Sequence, residues 1–225
     1  MDMDWSPFWI SMTTAGASIG VTFFLGLFCA WGVMSIRNEK IKIILDGILT
    51  LPLVLPPTVM GFFLLYIFGV KRPVGRWLAE YFGVRVVFSW GATVLAAVVM
   101  SFPLMYRSSR GALEQVDQDL ADAARTLGMR EWDIFWKVLF ANAVPGVAGG
   151  GVLAFARGLG EFGATAMIAG NIAGKTRTLP MAVYAEVAAG NMEKAWGYTA
   201  VIIGMGMVSM TLINLAAARG GRKGK

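Results

Sequence analysis

The chain has 225 residues, 56% of them apolar and only 15% charged, with a mean hydropathy of +0.62 and a formal net charge of +6. A soluble helical domain keeps a polar face on every helix, and the long charge-free runs of this sequence leave none, so an ordinary soluble fold is excluded. Histidine is absent and Cys29 is the single cysteine, which excludes a His/Cys metal cluster and an intrachain disulfide.

In chain order, five windows carry no Asp, Glu, Lys or Arg: 5–36, 47–70, 86–106, 138–156 and 195–218. About 20 apolar residues, rising about 1.5 Å each, cross the roughly 30 Å of bilayer hydrocarbon. Four windows clear that length. The fourth falls short alone and continues past Arg157 and Glu161 into another uncharged run, 162–174. These windows predict an all-α integral membrane protein, one domain over 1–225, with five spans, or six if 138–174 holds a span and a re-entrant piece.

The first run follows Asp2 and Asp4 instead of a basic n-region and is too long for a signal-peptide core, so it is expected to be a retained span with Cys29 as a packing residue. The second run contains Pro52, Pro56 and Pro57. Each removes an amide donor and kinks the helix, and carbonyls freed inside a bilayer must meet protein or a wet cavity. Gly16 and Gly20 in the first run, like Gly146 and Gly150 in the fourth, form G-x-x-x-G and are expected to pack helices.

Between the third and fourth runs the charges return in LADAARTLGMREWDIFWKVLF, Leu120 to Phe140. Leu120, Ala123, Ala124 and Leu127 recur at i, i+3, i+4 and i+7, one face of a short helix. Asp117, Asp119 and Asp122 crowd its start, where the helix dipole favours anions, and Gly128 supplies the left-handed residue that ends it. Trp132, Phe135, Trp136 and Leu139 repeat the spacing into the fourth run. The segment is therefore helix, glycine turn, helix, and the loop between the third and fourth runs spans about 107–137. One reading is an interfacial loop with both Trp as belt residues. The small Ala123 and Ala124 favour another, a helix that a second protein approaches closely.

Orientation follows the Lys/Arg bias of short loops. With five spans and the N-terminus outside, the inner segments hold twelve Lys and Arg and the outer segments seven. The acidic start and the basic RGGRKGK tail agree, so the C-terminus and the Leu120–Phe140 segment are expected to be cytoplasmic. The net positive charge then reflects topology, and no nucleic-acid partner is expected.

Two glycine motifs mimic nucleotide sites. GLGEFG, Gly158 to Gly163, spells G-x-G-x-x-G but sits in a helical apolar stretch, not after a strand. GNIAGKT, Gly170 to Thr176, has one residue too few between its glycines for a P-loop and falls on the expected outer side. The chain is expected to bind no cofactor and to have no ATPase site of its own.

DAARTLG resembles the EAA loop of binding-protein-dependent ABC importer permeases, Glu-Ala-Ala, three residues, Gly, then Ile-x-Leu-Pro. Asp122 stands for the Glu, Ala123, Ala124 and Gly128 match, Val138 replaces the Ile, and Phe140–Ala141 stands where Leu-Pro is expected. LPLVLPPTVMGFFLL and ARGLGEFGATAMIAGNIAGKTRTLPMAVY resemble the permease subunits of molybdate importers more specifically, with sulfate and tungstate permeases sharing parts of the pattern. The resemblance implies a type I ABC importer permease bundle in the cytoplasmic membrane, surrounded by lipid. It implies a homodimer that binds two cytoplasmic ABC ATPase subunits, which hold ATP-Mg, and receives molybdate from an extracytoplasmic binding protein. Asp122, Ala123, Ala124, Leu127 and Gly128 would form the ATPase-coupling loop.

Pro56, Pro57, Thr58, Arg157, Glu161 and Asn171 are the candidates for the translocation path or its gate. The proline-broken span would face the path, Thr58 offering a hydroxyl to an oxyanion; alternatively it is a packing kink in which Thr58 bonds its own backbone. Arg157 and Glu161, four residues apart, read as an internal ion pair, while intramembrane ionisable groups also mark function. A carboxylate repels an oxyanion, so Glu161 is expected to brace the gate, neutralised by Arg157, with Gly158, Gly160 and Gly163 allowing close contact. The rival classes are a stand-alone secondary anion transporter, which calls for an internal repeat or a coupling-ion carboxylate, and a membrane enzyme, for which the lack of histidine removes the commonest bases.

Overall fold

The computed structural model describes residues 3–220, and all regular structure among them is helical. The first helix, α1 (Ser6–Met34), is one apolar rod. The second, α2 (Glu39–Val54), starts on Asn38, whose Oδ1 accepts from the Lys40 amide at 3.0 Å. It stops at Leu55, and α3 (Pro57–Phe68) leaves at 110°. The sequence predicts a kink here, and the structure has a full break. Leu55 and Pro56 both precede a proline, which drives each to extended backbone, ψ 138° in both cases. Two extended residues in a row turn the chain; Pro52, alone inside α2, does not end it.

The amphipathic α4 (Pro73–Phe82) follows, then α5 (Trp90–Glu114), capped by Ser89 Oγ. After α6 (Gln118–Thr126), α7 (Glu131–Ile134) runs through a π-helical turn, Phe135–Phe140, into α8 (Ala141–Leu159). Where the family pattern has Leu-Pro, the chain therefore continues as helix. The remainder comprises the six-residue α9 (Gly163–Ile168), α10 (Leu179–Ala188) and α11 (Met192–Gly220).

Neighbour contacts set the direction of each rod. Thr14 bonds Thr93 at 2.8 Å and Thr22 lies 3.2 Å from Ser101, so α1 and α5 run parallel. Parallel neighbours require the chain to return between them, and only α2 with α3 is long and apolar enough for that crossing. A Cβ on Gly146 would lie 2.7 Å from Ala112 Cβ, and Gly150 abuts Ser108, so α8 runs antiparallel to α5. Tyr198 at the start of α11 donates to the Asp4 carbonyl at 2.8 Å, and the Leu179 amide at the start of α10 donates to Ser11 Oγ at 2.8 Å. Both helices therefore begin at the α1-start end. The 138–174 region holds one crossing, and the five crossings are α1, α2 with α3, α5, α7 through α8, and α11.

Small and hydroxyl side chains make these contacts because lipid tails offer no hydrophobic drive between helices; close packing and interhelical hydrogen bonds do that work. Gly146 and Gly150 pack as expected, but Gly16 and Gly20 meet nothing within 4 Å. Their motif faces away from this chain's own bundle. The largest buried cluster, with Leu27, Tyr106, Leu113, Ile134 and Phe135, lies at the α6 end and gives that helix a firm base.

Candidate functional site

At one end of the bundle, α6 is built as its sequence implies. Asp117 caps it, accepting from the Asp119 amide at 3.0 Å. Gly128 at φ +78° closes it, with the Gly128 amide donating to the Arg125 carbonyl at 2.9 Å and the Met129 amide to the Ala124 carbonyl at 3.1 Å. That paired pattern needs a left-handed residue, which glycine adopts without strain. Arg125 then bridges the turn: Nη1 donates to Asp122 at 2.6 Å, and Nε and Nη2 donate to the two Glu131 oxygens at 2.7 and 3.1 Å. Glu131 first, and Asp122 second, push the Arg125 pKa further up, so its charge is permanent.

The four residues read as one face divide. Ala124 is 5% exposed and, with Ala121, belongs to the chain's own core cluster. Leu127 is 83% exposed, and Leu120, Asp122 and Ala123 are exposed with it. The expectation that both alanines face a partner is corrected: consecutive residues sit about 100° apart round a helix, and the cluster beneath α6 takes Ala124 while Ala123 stays exposed. Trp132, 54% exposed, and Trp136 lie beside this turn. They join Phe28, Trp31 and Phe135 in one aromatic cluster, Trp31 and Phe135 having centroids 4.6 Å apart. Beside α6 a cavity of about 620 Å³ opens between α5 and α8, with Arg107, Gln115, Asp117 and Asn142 in its wall.

A further ionic group at this end escaped the sequence reading. Asp46 of α2 bonds both Tyr106 and Arg110 of α5, and Arg110 Nε also holds Glu114 at 2.7 Å. Asp46 and Tyr106 lie 60 positions apart, and no local spacing announces the pair. The only local signal is that Asp46 is the last charge before the second charge-free run.

Toward the other end, the two family-like stretches meet. A Cβ on Gly163 would stand 2.8 Å from Pro57 Cβ, and one on Gly61 would stand 2.7 Å from Ala164 Cα, so α3 and α9 touch backbone to backbone at their starts. Glu161, 2% exposed, sits at this junction. Its Oε1 accepts from the Ala164 amide at 2.8 Å, capping α9, and its Oε2 lies 2.7 Å from Arg157 Nη1, off the hydrogen-bonding direction. The pair forms although α8 ends at Leu159, between the two residues.

Pro56 and Thr58 are exposed and Pro57 half-buried on α3 beside Gly163. Gly158 approaches Ser18, a built Cβ coming 3.1 Å from its Oγ, whereas Gly160 meets only its own helix. Asn171 stands apart, in the loop after α9, where its Oδ1 accepts from Arg177 Nε at 2.8 Å. Of the two glycine motifs, Gly158–Gly163 runs from helix α8 into α9, and Gly170–Thr176 is a loop leading to α10.

Residues 22–220 match the family model described as binding-protein-dependent transport system inner membrane component. The molybdenum transport system permease protein ModB of Escherichia coli (strain K12) is 40% identical over 226 residues, covering 98% of each chain. ModB of Haemophilus influenzae is 40% identical over 185 residues, 82% of this chain and 80% of that one. The sulfate transport system permease protein CysT of Escherichia coli (strain K12) is 30% identical over 234 residues, 98% of this chain and 84% of that one. The solved inward-facing MetNI methionine ABC transporter superposes with a TM-score of 0.74 at 16% identity, covering 95% and 94% of the two chains, and so shares the fold. That fold is the all-α type I importer permease bundle. On the match over most of its length, this multi-pass membrane protein belongs to the family of binding-protein-dependent transport system inner membrane components.

Proposed function

We propose that the chain is the membrane-spanning subunit of an ATP-driven importer whose cargo is molybdate. The observation that carries the proposal is the near end-to-end similarity to permeases named for molybdenum transport. In the working assembly two copies pair, two cytoplasmic ATPase subunits dock on them, and an extracytoplasmic binding protein delivers the anion. ATP-Mg resides on the ATPases.

The geometry supplies a transmission route. Leu120, Ala123 and Leu127 present the exposed face of α6 to the ATPase. Arg125 and Glu131 tie α6 to α7, and α7 through α8 is one rod of 29 residues, about 43 Å at about 1.5 Å per residue. At its far end sit Arg157, Glu161 and the α3–α9 junction. When the ATPases close on ATP, α6 moves with them, the rod tilts, and the junction opens outward to accept the anion; hydrolysis resets it. Glu161 braces the junction, and the Pro56–Thr58 corner borders the path. Strong binding belongs to the delivering protein, because a tight site in the path would trap the ion.

The test is uptake of radiolabelled molybdate into vesicles containing the copurified complex. ATP-dependent uptake, competed more strongly by molybdate than by sulfate, is expected. Loss of any copurifying ATPase would sink the importer assignment. The similarity to CysT favours sulfate as the second reading, and stronger competition by sulfate would select it.

A further inference from the structure

At the α6 end of the bundle, Asp46 of α2 stands between two side chains of α5. Its Oδ1 accepts from the hydroxyl of Tyr106, a residue with 0% exposure, and its Oδ2 meets Arg110 Nη1. Arg110 closes the triangle, donating from Nη1 to Tyr106 Oη at 3.4 Å, while its Nε holds Glu114 at 2.7 Å. A carboxylate, a hydroxyl and a guanidinium thus satisfy one another across two helices.

The group matters because little else holds α2. Among the described residues, none in α2 is buried, and no other side-chain hydrogen bond or ion pair joins it to another helix. Leu45 and Leu49, both partly buried, supply its apolar contact with the largest buried cluster. Such contact places a helix weakly in a bilayer, where lipid tails compete for the same surface. A charge-assisted, directional tie fixes both its position and its rotation.

The placement of the tie gives it a direction of action. Tyr106 belongs to the same buried cluster as Ala121 and Ala124, so α6 and the tie are seated on one body. From Asp46, α2 runs about 12 Å, at about 1.5 Å per residue, to Val54 beside the corner where α3 departs at 110°. It is an arm anchored near α6 whose other end is the Pro56–Thr58 corner.

We propose that Asp46 and Arg110 are positioning residues that carry the movement of α6 into the α2 arm, and so to that corner. This second route, beside the α7–α8 rod, rests on the importer reading above. The tie stays closed through the cycle, because opening it would strip Asp46 of its cation and the Tyr106 hydroxyl of its acceptor.

The test measures molybdate uptake and ATP hydrolysis together, in vesicles holding the intact complex. Asp46→Asn keeps an acceptor for Tyr106 and removes the charge that holds Arg110. Uptake is expected to fall several-fold while hydrolysis stays near wild type, so fewer ions cross per ATP. Asp46→Glu is expected to restore most of that ratio. Arg110→Gln should lower it as Asp46→Asn does, and the double variant no further, as two halves of one tie require. Lys42→Gln, which breaks an ion pair within α2, should leave it unchanged. Asp46→Cys with Arg110→Cys, in a Cys29→Ser background, is expected to lose the ratio and regain it when a short bifunctional thiosulfonate joins the pair. Equal membrane yield and melting show that the variants fold; where Asp46→Asn does not, the cross-linked cysteine pair decides. A wild-type ratio in Asp46→Asn, additive losses in the double variant, or uptake still blocked after cross-linking overturns the proposal. Lowered melting with an unchanged ratio also overturns it, leaving the group a structural tie alone. Absence of ATP-driven uptake in the wild type overturns the importer reading, and this proposal with it.

Discussion

Glu161 does two jobs with two oxygens, which makes it separable by substitution. Gln keeps an oxygen for the Ala164 amide but removes the charge that faces Arg157. Breaking a buried ion pair on one side costs on the order of 3 kcal/mol, since the remaining charge is left uncompensated. Arg157, whose side chain is 29% exposed, brings the cost toward the low end of that range. Glu161→Gln is therefore expected to lower molybdate uptake by roughly tenfold, the equivalent of about 1.4 kcal/mol in a rate, while the complex still assembles. Glu161→Ala also loses the α9 cap, a further cost of about 1 kcal/mol, and its melting temperature should fall below that of the Gln variant. The double change Arg157→Leu with Glu161→Leu removes both charges and is expected to melt higher than either single Leu variant. Wild-type uptake in Glu161→Gln would remove the brace from the mechanism.

At the scale of the element, α6 offers two neighbouring alanines with opposite fates. Ala123 faces outward, and Trp there is expected to block docking: uptake and ATPase copurification fall together, while the permease reaches the membrane at normal yield. Ala124→Trp must force a large ring into the cluster that includes Leu113, Ile134 and Phe135, and loss of folded protein is expected instead. Equal behaviour of the two variants would contradict the division of the face. The sequence made much of this helix legible, because its determinants are local: an Asp at the cap, small and apolar residues at helical spacing, a glycine at the turn. It could not say which alanine is buried, since that depends on Ile134 and Phe135 packing from beyond the turn. The α2–α3 corner was half legible, its cause lying in adjacent prolines but its 110° angle in the effect of two consecutive extended residues. The Asp46–Tyr106–Arg110 group was not legible at all, being made by helices far apart in the chain.

For the whole molecule, the parallel course of α1 and α5 fixes the number of crossings, and the charge bias predicts the sense. The Thr14–Thr93 and Thr22–Ser101 contacts oblige the broken α2–α3 pair to count as one span, despite its bend. If the acidic start is outside, α6 is cytoplasmic, and the sequence then has twelve Lys and Arg on the inner side against seven on the outer. Positively charged loops resist translocation, so this sense is favoured over its inverse. Single cysteines in a Cys29→Ser background read it directly. Asn171→Cys, exposed in the loop after α9, is expected to react with a membrane-impermeant maleimide in spheroplasts. Ala123→Cys, exposed on α6, should react only after permeabilisation, and less when the ATPases are bound. Reaction of both from outside would break the five-span count, because the two sites would then share a side. Exchange of the two patterns would instead invert the protein, placing α6 where no cytoplasmic ATPase could reach it.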